Sequence, residues 1–174
     1  FLPPNEVFTA LAKFTRDSRV LGVGEAYFKA DFATAYRIYD PNYYDPLHMR
    51  RYAELVHYAN NGTLKGNLER SDILIIRDAL IDPEIALRRQ RLWDLLSVGY
   101  LLYKQAEAPV SLKPVWQDSP WVLLKNPSAL PRAYLVGSYQ VITPAPALLS
   151  RLFAGDFNPH REVLLEEDPG LTLI

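Results

Sequence analysis

Cysteine is absent from the 174 residues, and with it go disulfide staples, thiolate metal sites and thiol nucleophiles. Its absence fixes no compartment, because many exported domains also lack bridges. An excess of either charge is missing as well: 19 basic residues face 20 acidic ones, for a net charge of -1. That balance offers no footprint for nucleic acid and no polybasic patch for a membrane surface, so nucleic acid is not an expected partner. The apolar run "LLSVGYLLY", Leu95 to Tyr103, is about half of the ~20 residues that a membrane-crossing helix needs. Cofactor motifs are thin too. "LGVGEA" holds Gly22 and Gly24, but it lacks the third glycine and helix start of a dinucleotide loop and reads as a strand end. His48, His57 and His160 show no zinc-ligand spacing. No GxSxG elbow is present, and Ser138 in "VGSYQ" reads as mid-strand. The expectation is a segment with no cofactor, no metal and no catalytic constellation of its own.

What is present is ordinary globular material, 49% apolar and 22% charged, able to bury roughly 70% of its unfolded surface as one domain. Residues 1–174 are therefore read as a single soluble domain. The opening "FLPPNEVF" has no initiator methionine, no basic n-region and no small-residue cleavage site, and is read as part of a piece cut from a longer protein. Asp-Pro at Asp40, Asp45 and Asp82, and Thr-Pro at Thr143, place a capping oxygen before a proline suited to the first helical position. Helices are predicted after Asp45, Asp82 and Thr143.

The first of these carries Met49, Tyr52, Ala53, Val56 and Ala59 inside and Arg50, Arg51, Glu54 and His57 outside, ending near "NNG". The second buries Ile85, Leu92, Trp93 and Leu96, with Glu84 and Arg88 paired at i,i+4. The third rests on Leu148, Leu149, Leu152 and Phe153, with Gly155 as a left-handed cap. A fourth spans Asn5 to Thr15 on Val7, Phe8, Leu11 and Phe14. "RVLGVG" from Arg19, "LSVGYLLY", "LKPVWQ", "WVLLK", "RAYLVGSYQV" and "REVLLEE" read as strands, with a turn over Gln117 to Pro120 closing a hairpin. "SDILIIRDALI" stays open between strand and helix. The fold expected is α+β, a mixed, mostly antiparallel sheet of about six strands covered by helices.

Two stretches stand out chemically. In "NPSALPRAYLV", Pro127 and Pro131 drive Asn126 and Leu130 away from helical backbone and bracket a rigid turn. They deliver Arg132 to the first position of a strand expected to be central, where it needs an ion-pair partner or a ligand. In "YRIYDPNYYDPLHMRRYAEL", Tyr36, Tyr39, Tyr43, Tyr44 and Tyr52 are interleaved with Asp40, Asp45, Arg50 and Arg51. Rings beside charges suit a sugar, whose C–H face stacks while its hydroxyls bond. The other reading is that the rings pack a loop onto the sheet.

"VLLKNPSALPRAYLV" followed by "LFAGDFNPHREVLLEE" resembles the soluble segment of large bacterial polytopic membrane proteins of the YfhO-like type, described as glycosyltransferases of the lipid-linked-sugar class. The matching positions are Lys125, Asn126, Pro127, Leu130, Pro131, Arg132 and Ala133, then Asp156, Phe157, Asn158 and Pro159, where Asn158 replaces the family's usual acid. "RVLGVG", "YDPNYYDPLHMRRYAEL" and "LWDLLSVGYLLY" are similar to the family's order of strand, tyrosine-rich turn, helix and strand. The resemblance implies an extracytoplasmic domain tethered to membrane helices of the same chain, with cell-envelope glycan or lipid-linked sugar as partner. It places the catalytic acid in a loop outside this segment, so Asp40 and Asp45 are not assigned as bases. Tyr39, Tyr43, Tyr44, Asp45 and Arg50 are the expected glycan contacts, and Asn126, Pro127, Pro131 and Arg132 the expected structural motif. The alternative is a packing or interaction module that binds no small molecule, with buried tyrosines and an exposed apolar patch elsewhere.

Overall fold

The computed structural model describes residues 5–29, 32–42, 47–76, 78 and 82–170. Helix α1 (Glu6–Phe14) starts where the Asn5 side chain accepts hydrogen bonds from the Val7 and Phe8 amides, at 3.0 and 3.4 Å. Strand β1 (Arg19–Gly22) follows and runs into a 3-10 turn, Gly24–Ala26. Gly22 is obligatory there, since a Cβ would lie 2.2 Å from the Ala26 carbonyl oxygen. The chain continues through α2 (Phe32–Ala35), α3 (Arg50–Asn61), a 3-10 turn at Arg70–Ile73 and α4 (Pro83–Leu95). Gly62 closes α3 at φ 72°, donating its amide to the Tyr58 carbonyl at 2.7 Å. Asp82 caps α4 by accepting from the Glu84 amide at 2.8 Å, with Pro83 in the first turn. Beyond it come β2 (Val98–Lys104), β3 (Pro114–Asp118), β4 (Trp121–Lys125), β5 (Ser138–Val141), α5 (Ala145–Leu152) and β6 (Glu162–Leu165).

Four strands form one sheet in the order β1-β2-β4-β3, with β1 parallel to β2 and the other two pairs antiparallel. Side-chain alternation divides the core between its two faces. Leu101 and Tyr103 of β2 join Val122 and Leu124 of β4 against Val56 of α3 and Leu92 and Trp93 of α4. Leu102 and Leu123 point the other way, onto Val7 and Leu11 of α1 and Ala33 of α2. Helices therefore cover both faces, and residues between β1 and β2 supply three of them. The unit β5-α5-β6 is separate, a two-stranded parallel sheet. It is fastened by Phe153 stacked 5.5 Å from Tyr58 and by the buried Phe157 ring.

Several expectations need correction. The fold is α+β, but the strands divide into a sheet of four and a sheet of two rather than one sheet of about six. Only Ser138–Val141 of "RAYLVGSYQV" is strand. Pro127 and Pro131 offer no ladder donor, and Leu130 is drawn into the core with its amide 3.0 Å from the Asp94 carbonyl. The chain thus leaves the sheet at Asn126, and Arg132 and Leu135 emerge exposed, Leu135 to 98%. Helix α3 begins at Arg50, and the Asp45 cap assigned from sequence lies outside the described residues. Glu54 and His57, expected on the wet face of that helix, are each only 7% exposed. His57 is met by the segment after α3, where Asp72 reaches within 3.4 Å of His57 Nδ1 and 2.7 Å of Lys65, while Glu54 is held by Arg50 and Arg51. Helix α5 has no Thr143 cap, because Pro144 occupies the cap position without a side-chain bond, and it ends at Phe153 with an ordinary φ rather than at a left-handed Gly155.

Candidate functional site at the entrance of β1

The tyrosines of the interleaved stretch have different fates. Tyr36 stacks on Phe8 of α1 with ring centroids 4.1 Å apart and planes 8° from parallel, and is half-buried. Tyr52 donates its hydroxyl to the Pro41 carbonyl at 2.5 Å, tying α3 to the loop before it. Both rings are packing. Tyr39 is different: its carbonyl accepts from the Val20 amide at 3.0 Å, which lays the residue beside the start of β1, while its side chain is 48% exposed. Tyr43, Tyr44 and Asp45 lie outside the described residues. Arg50 projects from the first turn of α3, its side chain 84% exposed and 2.8 Å from Glu54.

Arg132 converges on Tyr39 from the far part of the sequence, its guanidinium carbon 4.7 Å from the ring centroid, a cation–π distance. The ion pair expected for Arg132 is therefore replaced by an aromatic face. Arg19 stands at the same corner, donating from Nη1 to the Leu96 carbonyl at 2.7 Å where α4 ends. Cations are favoured at a helix C-terminus, where unsatisfied carbonyls carry partial negative charge. Burial pulls the Arg19 pKa down, the nearby Arg132 charge pulls it further, and Tyr52 opposes both. Among the described residues neither Arg19 nor Arg132 forms a salt bridge. Arg19 was read from sequence only as the first residue of a strand. The available signal was a cation immediately before a buried apolar run, the same arrangement that singled out Arg132.

The Asn126 turn holds this corner in place. The buried Asn126 side chain donates to Asp94 Oδ1 and to the Val98 carbonyl, both at 2.9 Å, and accepts from Gln90 at 3.1 Å. Its amide reaches the Gly99 carbonyl at 2.8 Å. Every hydrogen-bonding group of the residue is used, which latches β4 to β2 and α4. Ser128 donates directly to Asp94 at 2.8 Å with no histidine between them, so the cluster lacks the relay of a serine nucleophile.

Another concave surface is built from polar groups already engaged. A cleft of about 830 Å³ opens where β1 ends, lined by Gly24, Glu25, Tyr27, Asn60, Asp72 and Glu107. Glu107 caps the 3-10 turn through the Glu25 amide at 3.0 Å, and Asn60 spans the Leu74 carbonyl and the Ile76 amide. Burial would raise the Asp72 carboxyl, but hydrogen bonds from Lys65 and the Glu69 amide hold it below the usual carboxylate range. Among the described residues no group of three or more histidines and carboxylates could hold a metal ion, and no helix is long and apolar enough to cross a membrane. Comparison of the chain with protein-family models, with curated proteins and with solved structures finds no match.

Proposed function

We propose that this chain is an accessory, non-catalytic domain on the extracytoplasmic face of a bacterial membrane protein of the YfhO-like glycosyltransferase class. In this reading it contacts cell-envelope glycan or lipid-linked sugar at the corner formed by Tyr39, Arg19 and Arg132. The observation that carries the reading is the Tyr39 ring, held against β1 by its own backbone yet left 48% exposed beside a guanidinium. A ring so placed can stack on a sugar while arginine donors meet its oxygens. Arg50 adds a second exposed cation in the same part of the chain, and the five resemblance-bearing stretches supply the family.

Amide chemical shifts of the protein titrated with neutral cell-envelope oligosaccharides test this directly. Saturable shifts confined to Tyr39 and its neighbours on β1 support glycan recognition. Uniform silence at millimolar ligand removes it.

A second reading, a protein-interaction or packing module, draws on exposed aliphatic side chains. Leu47 and Met49 before α3 are 88% and 71% exposed, more than a solvated surface needs. On this reading the tethering membrane segment of the same chain is the partner, and Leu47→Ser with Met49→Ser weakens that association without changing sugar titrations.

A further inference from the structure

The two arginines of the β1 corner pose a problem that a neutral sugar does not solve. Arg19 is anchored by one donor to the Leu96 carbonyl, and Arg132 lies over the Tyr39 ring. Each guanidinium carries five N–H groups and cannot shed its proton. Their mutual repulsion is one of the forces acting on Arg19, and among the described residues no carboxylate acts on it to offset that repulsion. Four other arginines are given carboxylates, since Arg50 and Arg51 share Glu54, Arg51 also meets Glu166, Arg88 has Glu84 and Arg151 has Asp156, while Arg89 and Arg91 bond the Asp78 and Ala154 backbone carbonyls. What sets this corner apart is that two cations from distant segments act on each other with no carboxylate bound to either among the described residues.

We infer that Arg19 and Arg132 form an oxyanion site for a phosphate ester, with the Tyr39 ring beside it to receive the group that carries the phosphate. A carboxylate can accept one bond from each of two arginines, as Glu54 does from Arg50 and Arg51, whereas the three terminal oxygens of a phosphate monoester, with its higher charge, can meet two guanidinium forks on separate elements more fully. The site is half built in advance. Arg19 is fixed at the end of α4, and Arg132 follows the Pro127–Pro131 turn whose start is locked by Asn126. Preorganisation of this kind lowers the ordering cost of binding. The proposal rests on the glycan reading for the identity of the carried group, but not for the oxyanion itself.

The test is an amide-shift titration of the protein with three probes: a hexose 1-phosphate, phosphatidylcholine vesicles with and without phosphatidic acid, and a neutral oligosaccharide. Saturable shifts at Arg19, Val20 and Arg132 with the hexose phosphate, or with the phosphatidic acid vesicles alone, are expected, and the responding arm names a soluble or a membrane source. Arg132→Gln should weaken that binding at least about tenfold, as loss of charge-assisted hydrogen bonds does. Arg132→Lys, which keeps the charge but not the fork, should recover only part of it. Because Arg132 is exposed, its variants keep the fold, and an unchanged melting temperature checks this.

Silence toward both phosphate probes overturns the oxyanion site. So does binding that Arg132→Gln leaves untouched. Binding of the neutral oligosaccharide without phosphate binding would sink this inference and spare the glycan reading, while the reverse pattern would sink the glycan reading and spare this one.

Discussion

Arg50 and Arg51 open α3 and share the buried Glu54 carboxylate at 2.8 and 2.7 Å, whereas Arg19 and Arg132 meet at the start of β1 with a carbonyl and a tyrosine ring for company. The first pair sits where cations are unwelcome, at the positive end of a helix whose first turn holds no acid. Glu54 offsets them from one turn further on. Burial pushes the Glu54 carboxyl up, yet the hydrogen bonds from Arg51 and Arg50 outweigh it and hold it below the usual range. Hydrogen bonding to Glu54, with lesser help from the Glu166 charge, raises Arg51 in return. The first cluster is closed by its own residues. Among the described residues the second has no carboxylate, which is the arrangement the proposed phosphate site calls for.

The comparison is broken most severely by removing the shared acid. Glu54→Ala should destabilise the protein by about 1–3 kcal/mol, the cost of losing charge-assisted bonds to arginines that also reach solvent. Chemical denaturation measures it, and a loss as small as that of an exposed substitution would remove the distinction between the clusters. Smaller in effect is Arg19→Gln, which gives up the bond to the Leu96 carbonyl at the end of α4 and should cost about 1 kcal/mol. Hydrogen exchange at Leu96 and Ser97 should quicken in the same variant.

The pH dependence sharpens the contrast. Glu54 has a lowered pKa when folded, so its contribution is fully present above the ordinary glutamate value near 4.3 and is lost as pH falls through the folded one. Glu54→Gln should flatten the acid limb of the stability curve. An acid limb identical to that of the unaltered chain would show that Glu54 gains nothing from its arginines. The smallest effect belongs to Arg132→Gln, where the lost cation–π contact, about 0.5–1 kcal/mol at an exposed site, is offset by relief of repulsion on Arg19.

How much of this was legible in the sequence depends on distance along the chain. The Asp82-Pro83 start of α4 and the Asn5 start of α1 are local signals and lie where the pattern placed them, and the β3–β4 hairpin forms with Gln117 and Asp118 in the strand rather than in the turn expected over Gln117 to Pro120. The burial of His57 was not legible, because it depends on the segment around Asp72 folding back over α3. The length of β5 was misread for a related reason: an apolar run becomes strand only if a partner is in reach, and the two prolines carry Ala133 to Val136 away from the sheet. At the candidate site, Tyr39 and Arg132 were each singled out alone. Their meeting, and the part of Arg19, come from the return of the chain after β4 to the end of α4.

The central claim is that the first arginine pair is structural and the second is reserved for a phosphorylated ligand. Thermal unfolding of the unaltered protein, Glu54→Gln and Arg132→Gln, each with and without a hexose 1-phosphate, tests it in one experiment. The account predicts that Glu54→Gln melts lower but is still raised by the phosphate, through preferential binding to the folded state. It predicts that Arg132→Gln melts with the unaltered protein and is not raised. A lowered melting temperature in Arg132→Gln, with no phosphate response in any of the three, would contradict it.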